Sequence, residues 1–361
     1  MRAEDILSRR LYCQRLEGHR FTDPREAVRL FGAVQSQDFG GAQWGVCQRL
    51  EQTAAAEFSD AFARGDILRT HVMRPTWHLV AAEDIRWMVD LTRPRLLRLM
   101  AYYFRQFDLD EPELARTNVL IHEVLQGGNQ LTRSELAARL DQQGIAVQNG
   151  VRLSYILIHA EISGLICSGA PTGKQQTYAL LNDRAPAAPT MDRENAVAEL
   201  ARRYFRSHGP ATVEDFAWWS GLTKSEAYAG LEAVRDTFDH DNIDDRYYWY
   251  AADALAAPAF SEAHLLPNYD EYVVAYTDRG NLFSSGQTAD LDSRGNPLFN
   301  NVLILGGTIA GTWKKTVRRA SLQLEITPFR RLTSRERSAI HPAAEQYAEH
   351  LRLAELSVVG I

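Results

Sequence analysis

Between Glu113 and Leu181 the chain sets helix signals and breakers in an order that few folds satisfy. Leu114 to Leu125 carries a helical apolar pattern, and Gly127-Gly128 stops it. Thr132-Arg133-Ser134-Glu135 then has the spacing of a capping box, in which a hydroxyl and a carboxylate three residues apart satisfy each other's backbone N–H groups. The helix it opens continues through Leu136 and Leu140. Val151 to Ser163 is a further helix, with an apolar stripe at Leu153, Ile156, Leu157 and Ala160. Leu165-Ile166-Cys167 and Thr177-Tyr178-Ala179-Leu180, joined by a turn rich in Gly and Pro, are the strands of a pair. Three short helices followed by a strand pair make a winged-helix unit, whose third helix commonly lies in a DNA groove.

The pattern recurs more weakly on both sides. After a Pro- and Ala-rich linker at Ala185 to Pro189, Glu194 to Arg206 is a helix and Gly209-Pro210 interrupts it. Thr212 enters a second helix, and Thr223 caps a third that extends to about Val234. Tyr247 to Tyr250 is a strand. At the start, Asp5 to Glu17, a segment opening at Thr22-Asp23-Pro24, and Ala54 to Arg64 supply three helices, with strands at Ile67 to Thr70 and Thr76 to Val80. Ala82 to Phe107 is a long helix, broken or kinked near Pro94. From Pro258 the style changes, with strand-like runs at Val273 to Tyr276, Val302 to Leu305, Thr308 to Trp313 and Leu322 to Ile326. Gly306-Gly307 is a two-residue hairpin turn, and a closing helix is expected over Ser334 to Leu356. The expected fold is mainly α, of the α+β kind. It comprises winged-helix units at 1–82, 83–184 (with the linking helix) and 190–256, and a β-rich piece at 257–361 that includes a hairpin and a helix.

Charge decides which partners such a scaffold can have. The net charge is −6, which counts against a nucleic-acid binder, because phosphate contacts need cations. The charge is segregated, however. Lys314 to Arg337 holds Lys314, Lys315, Arg318, Arg319, Arg330, Arg331, Arg335 and Arg337 against Glu325 and Glu336. Arg86 to Arg105 holds Arg86, Arg93, Arg95, Arg98 and Arg105 against Asp90 alone. An acidic protein can therefore carry a basic face, although solvated helix faces give the same clusters. No apolar run approaches the roughly 18 residues of a membrane span. Cys13, Cys47 and Cys167 stand too far apart for a disulfide framework or a zinc knuckle, so the cytoplasm is the expected compartment and no metal or cofactor is expected.

Common catalytic signatures fail on inspection. Gly306 to Lys314 lacks the P-loop lysine, since Thr312 follows Gly311. His71 and His78 are seven residues apart rather than four, which favours hydrogen-bonded structural histidines over a zinc pair. The aspartates between Asp239 and Asp245 lack a calcium loop's glycine and terminal glutamate. Trp218 and Trp219 are expected in the core. What remains is Gln35-Ser36-Gln37-Asp38, between a helix and Gly40-Gly41. Both glutamines can face one ligand only if the helix has ended before Gln35, because residues two apart share a face in extended chain and oppose each other in a helix. By itself the motif proves nothing in a chain with 17 glutamines.

The wider context of the motif is specific. Leu30 to Asp38 and Leu68-Arg69-Thr70-His71-Val72-Met73-Arg74-Pro75-Thr76-Trp77-His78-Leu79-Val80 resemble the bacterial AlkZ-like DNA glycosylases. So do Leu266-Pro267-Asn268-Tyr269-Asp270-Glu271-Tyr272, Asp278-Arg279 and Gly311-Thr312-Trp313-Lys314, in the same order along nearly the whole chain. The resemblance implies three tandem winged helices around a concave channel, a curved clamp. It implies double-stranded DNA carrying alkylated or crosslinked purines as partner, a monomer in the cytoplasm at the nucleoid, and a Gln-x-Gln active site that Gln35 and Gln37 match. Some members unhook interstrand crosslinks made by their producer's own antibiotic. A sister subfamily has aspartate at the second motif position, so Gln37 favours crosslinks or bulky adducts over simple monoadducts.

A carboxamide does not titrate, so neither glutamine is a general base in the ordinary sense. Each can hold a water and turn an oxygen dipole toward a developing oxocarbenium sugar. An N7-alkylguanine is already cationic and needs little acid assistance to leave. No lysine stands near the motif, which favours water as nucleophile over a Schiff base. Arg74 and His78 are candidates to bind phosphate or support the site, with wing structure as the equal alternative. Lys314, Lys315, Arg318 and Arg319 are candidates for backbone contacts, and the hairpin Leu303 to Trp313 for probing the duplex. Asp38, Tyr269 and Asp270 are secondary candidates. For Asp270 and Glu271 a cap or a salt bridge to Arg279 is the favoured role. The rival function is a non-catalytic winged-helix regulator, which typically has one such unit per subunit.

Overall fold

The computed structural model describes residues 2, 5–53, 55–147, 149–253, 263–283 and 299–361. The helix start expected at Ala54 and the change of style at Pro258 lie outside the described residues. The chain divides into two units, one of residues 59–197 and one that joins 1–58 to 198–361.

In the 59–197 unit, Ile67–His71 pairs antiparallel with Trp77–Ala81, Thr70 opposite His78. The helix Ile85–Gln106 follows, with Pro94 inside it. Glu111–Leu125 begins where the Asp110 side chain accepts from the Glu113 N–H. The expected capping box is formed, and Thr132 and Glu135 open the helix Arg133–Gln142. Asn149 caps Gly150–Ile162. Ile166–Ser168 and Thr177–Leu180 then pair, with Leu131–Thr132 on the other edge of Thr177–Leu180. Leu136, Leu140, Leu153, Ile156, Leu157 and Ala160 fall in one buried cluster, as their helical spacing requires.

In the other unit a five-stranded sheet runs in the spatial order Glu355–Val359, Ser321–Pro328, Thr308–Arg318, Val302–Leu305, Ala263–Leu266. All neighbours are antiparallel except the first two, which are parallel. Gly306 and Gly307 both have positive φ, 58° and 79°, and close the tight turn between Leu305 and Thr308. The helix Ser334–His350 packs beside this sheet, opened by a capping box of Thr333 and Glu336. Before the sheet come the helices Val213–Ser220 and Lys224–Glu232, each with its own capping box, and the hairpin Phe238–Ile243 with Arg246–Ala251.

Several expectations are corrected. The closing helix does not reach Leu356. It ends at His350, Arg352 turns the chain at φ 55°, and Glu355–Val359 is a strand in which Leu356 and Val358 alternate with more exposed neighbours. The run expected as a strand at Val273 to Tyr276 begins instead inside a short helix, Glu271–Val274. A continuous apolar run fits either element, and the Asp270 side chain, accepting from the Tyr272 N–H, decides for the helix. Gly40 and Gly41 lie in the first turn of a helix, Phe39–Cys47, that was not expected from the sequence. The strands of the hairpin Leu303 to Trp313 lie in the middle of the sheet, with Leu303, Ile304, Ile309, Ala310 and Trp313 buried and Gly306 exposed at the turn. Trp219 is buried as expected, but Trp218 is 43% exposed, and its indole donates to the Val274 carbonyl.

Candidate active site

Two capped helices hold the Gln-x-Gln segment between them. Asp23 caps Pro24–Phe31, with Pro24 in the first turn, and Gly32 ends it at φ 78°. Val34–Gln35 is extended, so the helix has ended before Gln35 as the motif requires. Asp38 then caps the next helix, its carboxylate accepting from the Gly41 N–H at 3.1 Å. Gln35 and Ser36 are buried, whereas Gln37 and Asp38 are exposed. The motif thus runs from the interior to solvent within four residues.

A buried carboxylate anchors the inner end. The Gln35 N–H donates to Glu271 Oε1 at 2.7 Å. The Trp219 indole donates to Glu271 Oε2 at 2.8 Å, and His208 Nε2 lies 3.4 Å from the same oxygen. Burial pushes the His208 pKa down, and the Glu271 contact only partly offsets this. With neutral His208 protonated at Nε2, Glu271 accepts from both His208 and Trp219, while the Ser207 hydroxyl reaches His208 Nδ1 at 2.8 Å.

The neighbouring carboxylate is occupied in another way. Arg49 grips Asp270 with two bonds, Nη1 to Oδ2 at 2.9 Å and Nη2 to Oδ1 at 2.8 Å, and both side chains are buried. Arg49 also donates to the Gln14 carbonyl, and Asp270 caps its own helix. The expected partner Arg279 donates instead to the Val273 carbonyl. Planar guanidinium and carboxylate match as a fork, which makes Asp270 a structural clasp. This clasp explains the glycines. A Cβ on Gly45 would sit 3.1 Å from Asp270 Oδ2, and one on Gly41 would sit 3.0 Å from Asn268 Oδ1. Tyr269, between Asn268 and Asp270, has φ 62° and sets its ring edge-on to Phe299 at 5.8 Å.

The basic hairpin belongs to the same unit. Lys315 Nζ donates to the Tyr347 hydroxyl at 2.6 Å, and Asp38 acts electrostatically on that hydroxyl. Tyr347 in turn packs edge-on to Trp44, in the helix that Asp38 caps, with ring centres 4.9 Å apart. Lys315 therefore stands on the side of the motif. Lys314 is exposed opposite Glu325, and Arg318 and Arg319 are exposed at the hairpin's end, Arg319 at φ 52°. Arg74 and His78 belong to the 59–197 unit. Arg74 is half-buried in the turn of the first hairpin, and buried His78 places Nδ1 2.9 Å from the Thr76 carbonyl. His71 is likewise buried and bonded, to Glu161. The sequence reading did not single out Arg49, His208 or Asp38's role as a cap. For Asp38 a signal existed, an aspartate immediately before a helix.

A model of the AlkZ-like DNA glycosylase family matches residues 28–350. The chain belongs to the AlkZ-like DNA glycosylase family. Among solved structures it is similar to the Streptomyces sahachiroi DNA glycosylase AlkZ, with a TM-score of 0.79 and 20% identity over 100% of both chains. At that identity the likeness establishes a shared mixed α+β fold. No curated protein matches the chain. Membership makes this a DNA-acting repair glycosylase, and within the AlkZ-like match fall the Gln35 to Asp38 segment, Glu271 and the basic hairpin. Among the described residues no helix is long and apolar enough to cross a membrane.

Proposed function

We propose that this AlkZ-like protein hydrolyses the N-glycosidic bond of N7-alkylated purines in double-stranded DNA and unhooks interstrand crosslinks or bulky adducts by the same reaction. Gln35 and Gln37 are its catalytic residues. The observation that supports this reading is the placement of the motif, extended between two capped helices and anchored at the Gln35 N–H by buried Glu271. In the reaction the C1′–N9 bond breaks, and its electron pair leaves with the alkylated base, which departs neutral. A water oxygen bonds to C1′ and its proton passes to solvent. The amides orient that water and stabilise the sugar's positive charge through their oxygens. An uncharged site of this kind suffices for a cationic leaving group and is poor for undamaged purines, which gives selectivity without a strong acid.

The organisation that accompanies this function is three tandem winged-helix units, 1–82, 83–184 and 190–256, with the β-rich piece 257–361, acting as a monomer on the nucleoid in the cytoplasm. Lys314, Lys315, Arg318 and Arg319 hold the phosphate backbone, and Arg74 and His78 support the site or a phosphate. Asp38 and Tyr269 border the motif. The glycosylase is monofunctional, and self-resistance to a DNA-alkylating natural product is the role that fits Gln37. The test is incubation with duplexes carrying 7-methylguanine or a defined N7 crosslink. Free base and abasic sites are expected, with no enzyme–DNA adduct after borohydride. A trapped adduct, or intact lesions of both kinds, contradicts the proposal.

A further inference from the structure

The helix Ile85–Gln106 carries a feature that the proposed site does not use. Its buried side is accounted for by Leu96, Met100 and Phe104, which enter the core of the 59–197 unit. On the other side, Arg95, Arg98, Tyr102 and Arg105 recur at spacings of three, four and three residues, which places them in one stripe along an α-helix. Tyr102 is 62% exposed, and Leu99, in the next row, is 45% exposed.

The arginines of this helix fall into two kinds. Arg86 donates to Pro186, Asn182 and Ala185, and Arg93 to Asp90 and the Ile162 carbonyl, so both are spent on holding the unit together. Arg105 is exposed and Arg95 half-buried with its Nε covered; neither has a hydrogen-bond or ion-pair partner among the described residues, and exposed Arg98 bonds only the Pro94 carbonyl one turn back. Three neighbouring cations, none of them ion-paired among the described residues, raise one another's energy, so the stripe gains from any polyanion laid along it. From Arg95 to Arg105 the helix rises about 15 Å. Duplex DNA places one phosphate charge per roughly 1.7 Å of its axis, several within that length. An exposed tyrosine amid arginines adds a flat apolar face for a sugar or an unstacked base.

We propose that Arg95, Arg98 and Arg105, with Tyr102 between them, form a second DNA-contact surface that grips the duplex backbone independently of the Gln-x-Gln site. The inference rests on the DNA-acting reading of the chain but not on its catalytic residues. DNA is the occupant that the charge favours in a protein whose family acts on DNA. A second copy of this chain that met the stripe with its own stripe, in a two-fold contact, is disfavoured electrostatically.

The experiment measures binding of the full chain to undamaged duplex by fluorescence anisotropy from about 50 to 200 mM salt. Each phosphate contact contributes about 0.9 to the slope of log K against log salt. Replacing all three arginines by glutamine is expected to flatten the slope by about 2 to 3 and to weaken binding at least tenfold at low salt. Arg105→Gln alone is expected to flatten it by about 0.9, and lysine at all three positions to restore most of it. Gln35→Ala/Gln37→Ala is expected to keep the wild-type slope, so failure of the catalytic reading leaves this result readable. An unchanged slope in both the triple and the Arg105→Gln variant overturns the proposal. So does a wild-type chain that self-associates in sedimentation velocity, or binds vesicles with about one-third phosphatidylserine, through the same arginines.

Discussion

Replacing Glu271 tests how the interior holds the catalytic segment. Its carboxylate accepts from the Gln35 N–H and the Trp219 indole and faces His208, all buried. Hydrogen bonds to a charged group contribute about 1.5–3 kcal/mol each, and a buried donor left without an acceptor costs a further 1–3 or so. Glu271→Ala removes the acceptor from three donors, the Gln35 N–H, the Trp219 indole and the longer His208 Nε2–H, and opens a cavity, so a loss of about 3–5 kcal/mol is expected. That corresponds to a Tm lower by roughly 6–20 °C for a unit of this size. Glu271→Gln keeps the volume and one oxygen but turns an amide N–H₂ toward a donor, so about 1–3 kcal/mol is expected. If the oxygen stays on the Gln35 N–H, Glu271→Gln retains base release where Glu271→Ala loses it even after correction for the folded fraction. The assays are urea denaturation and single-turnover release of 7-methylguanine at a temperature where each variant is folded. Wild-type stability of Glu271→Ala would refute the anchoring argument. Equal, full activity of both variants would show that the anchor does not set the position of the motif.

Two further outcomes follow from the same region. Burial holds His350 at a pKa of about 4 against an ordinary 6.5, with its Nδ1 on the Thr53 carbonyl at 3.0 Å. Between those values the unfolded chain binds a proton that the folded chain refuses, so this contribution is complete above pH 6.5 and lost as pH falls toward 4. The loss amounts to about 2 kcal/mol by pH 5 and about 3 in full, read from urea midpoints at pH 7.5 and 5; a midpoint that rises at pH 5 contradicts it. His208, its pKa also lowered by burial, adds in the same direction. Asp38→Ala is expected to cost about 1 kcal/mol through loss of the cap, whereas Asp38→Asn keeps both cap and turnover. A large fall in turnover for Asp38→Asn at full stability shows instead that Asp38 takes part in the chemistry.

Local signals in this chain were readable, and contacts between distant segments were not. Thr132 with Glu135, Thr212 and Thr223 announced their helices because a cap needs only neighbours in sequence. Gly306-Gly307 announced its turn for the same reason. The helix Phe39–Cys47 was hidden by its glycines, which weaken helix propensity but give Asn268 and Asp270 room to approach. The sequence left the end of the helix before Gln35 as a condition, which Gly32 meets in the structure, and the fate of Gln35 was not legible at all, because the partner of its N–H, Glu271, lies 236 residues away. Arg49 and Asp270, 221 residues apart, are the same case: of the two roles expected for Asp270 the cap is present, but its ion partner is distant Arg49 and not nearby Arg279. Parallel pairing of Glu355–Val359 with Ser321–Pro328 is equally non-local, and a short segment after a long helix reads as more helix until that partner is known.

The most direct test of the central claim is single-turnover release of 7-methylguanine from duplex DNA by the wild type, Gln35→Ala, Gln37→Ala and the double variant. Wild-type release is expected. So is a fall of about 10²-fold or more in the double variant, of the size seen when a preorganised dipole is removed from a charged transition state, with duplex binding retained. Release by the double variant at the wild-type rate would contradict the account.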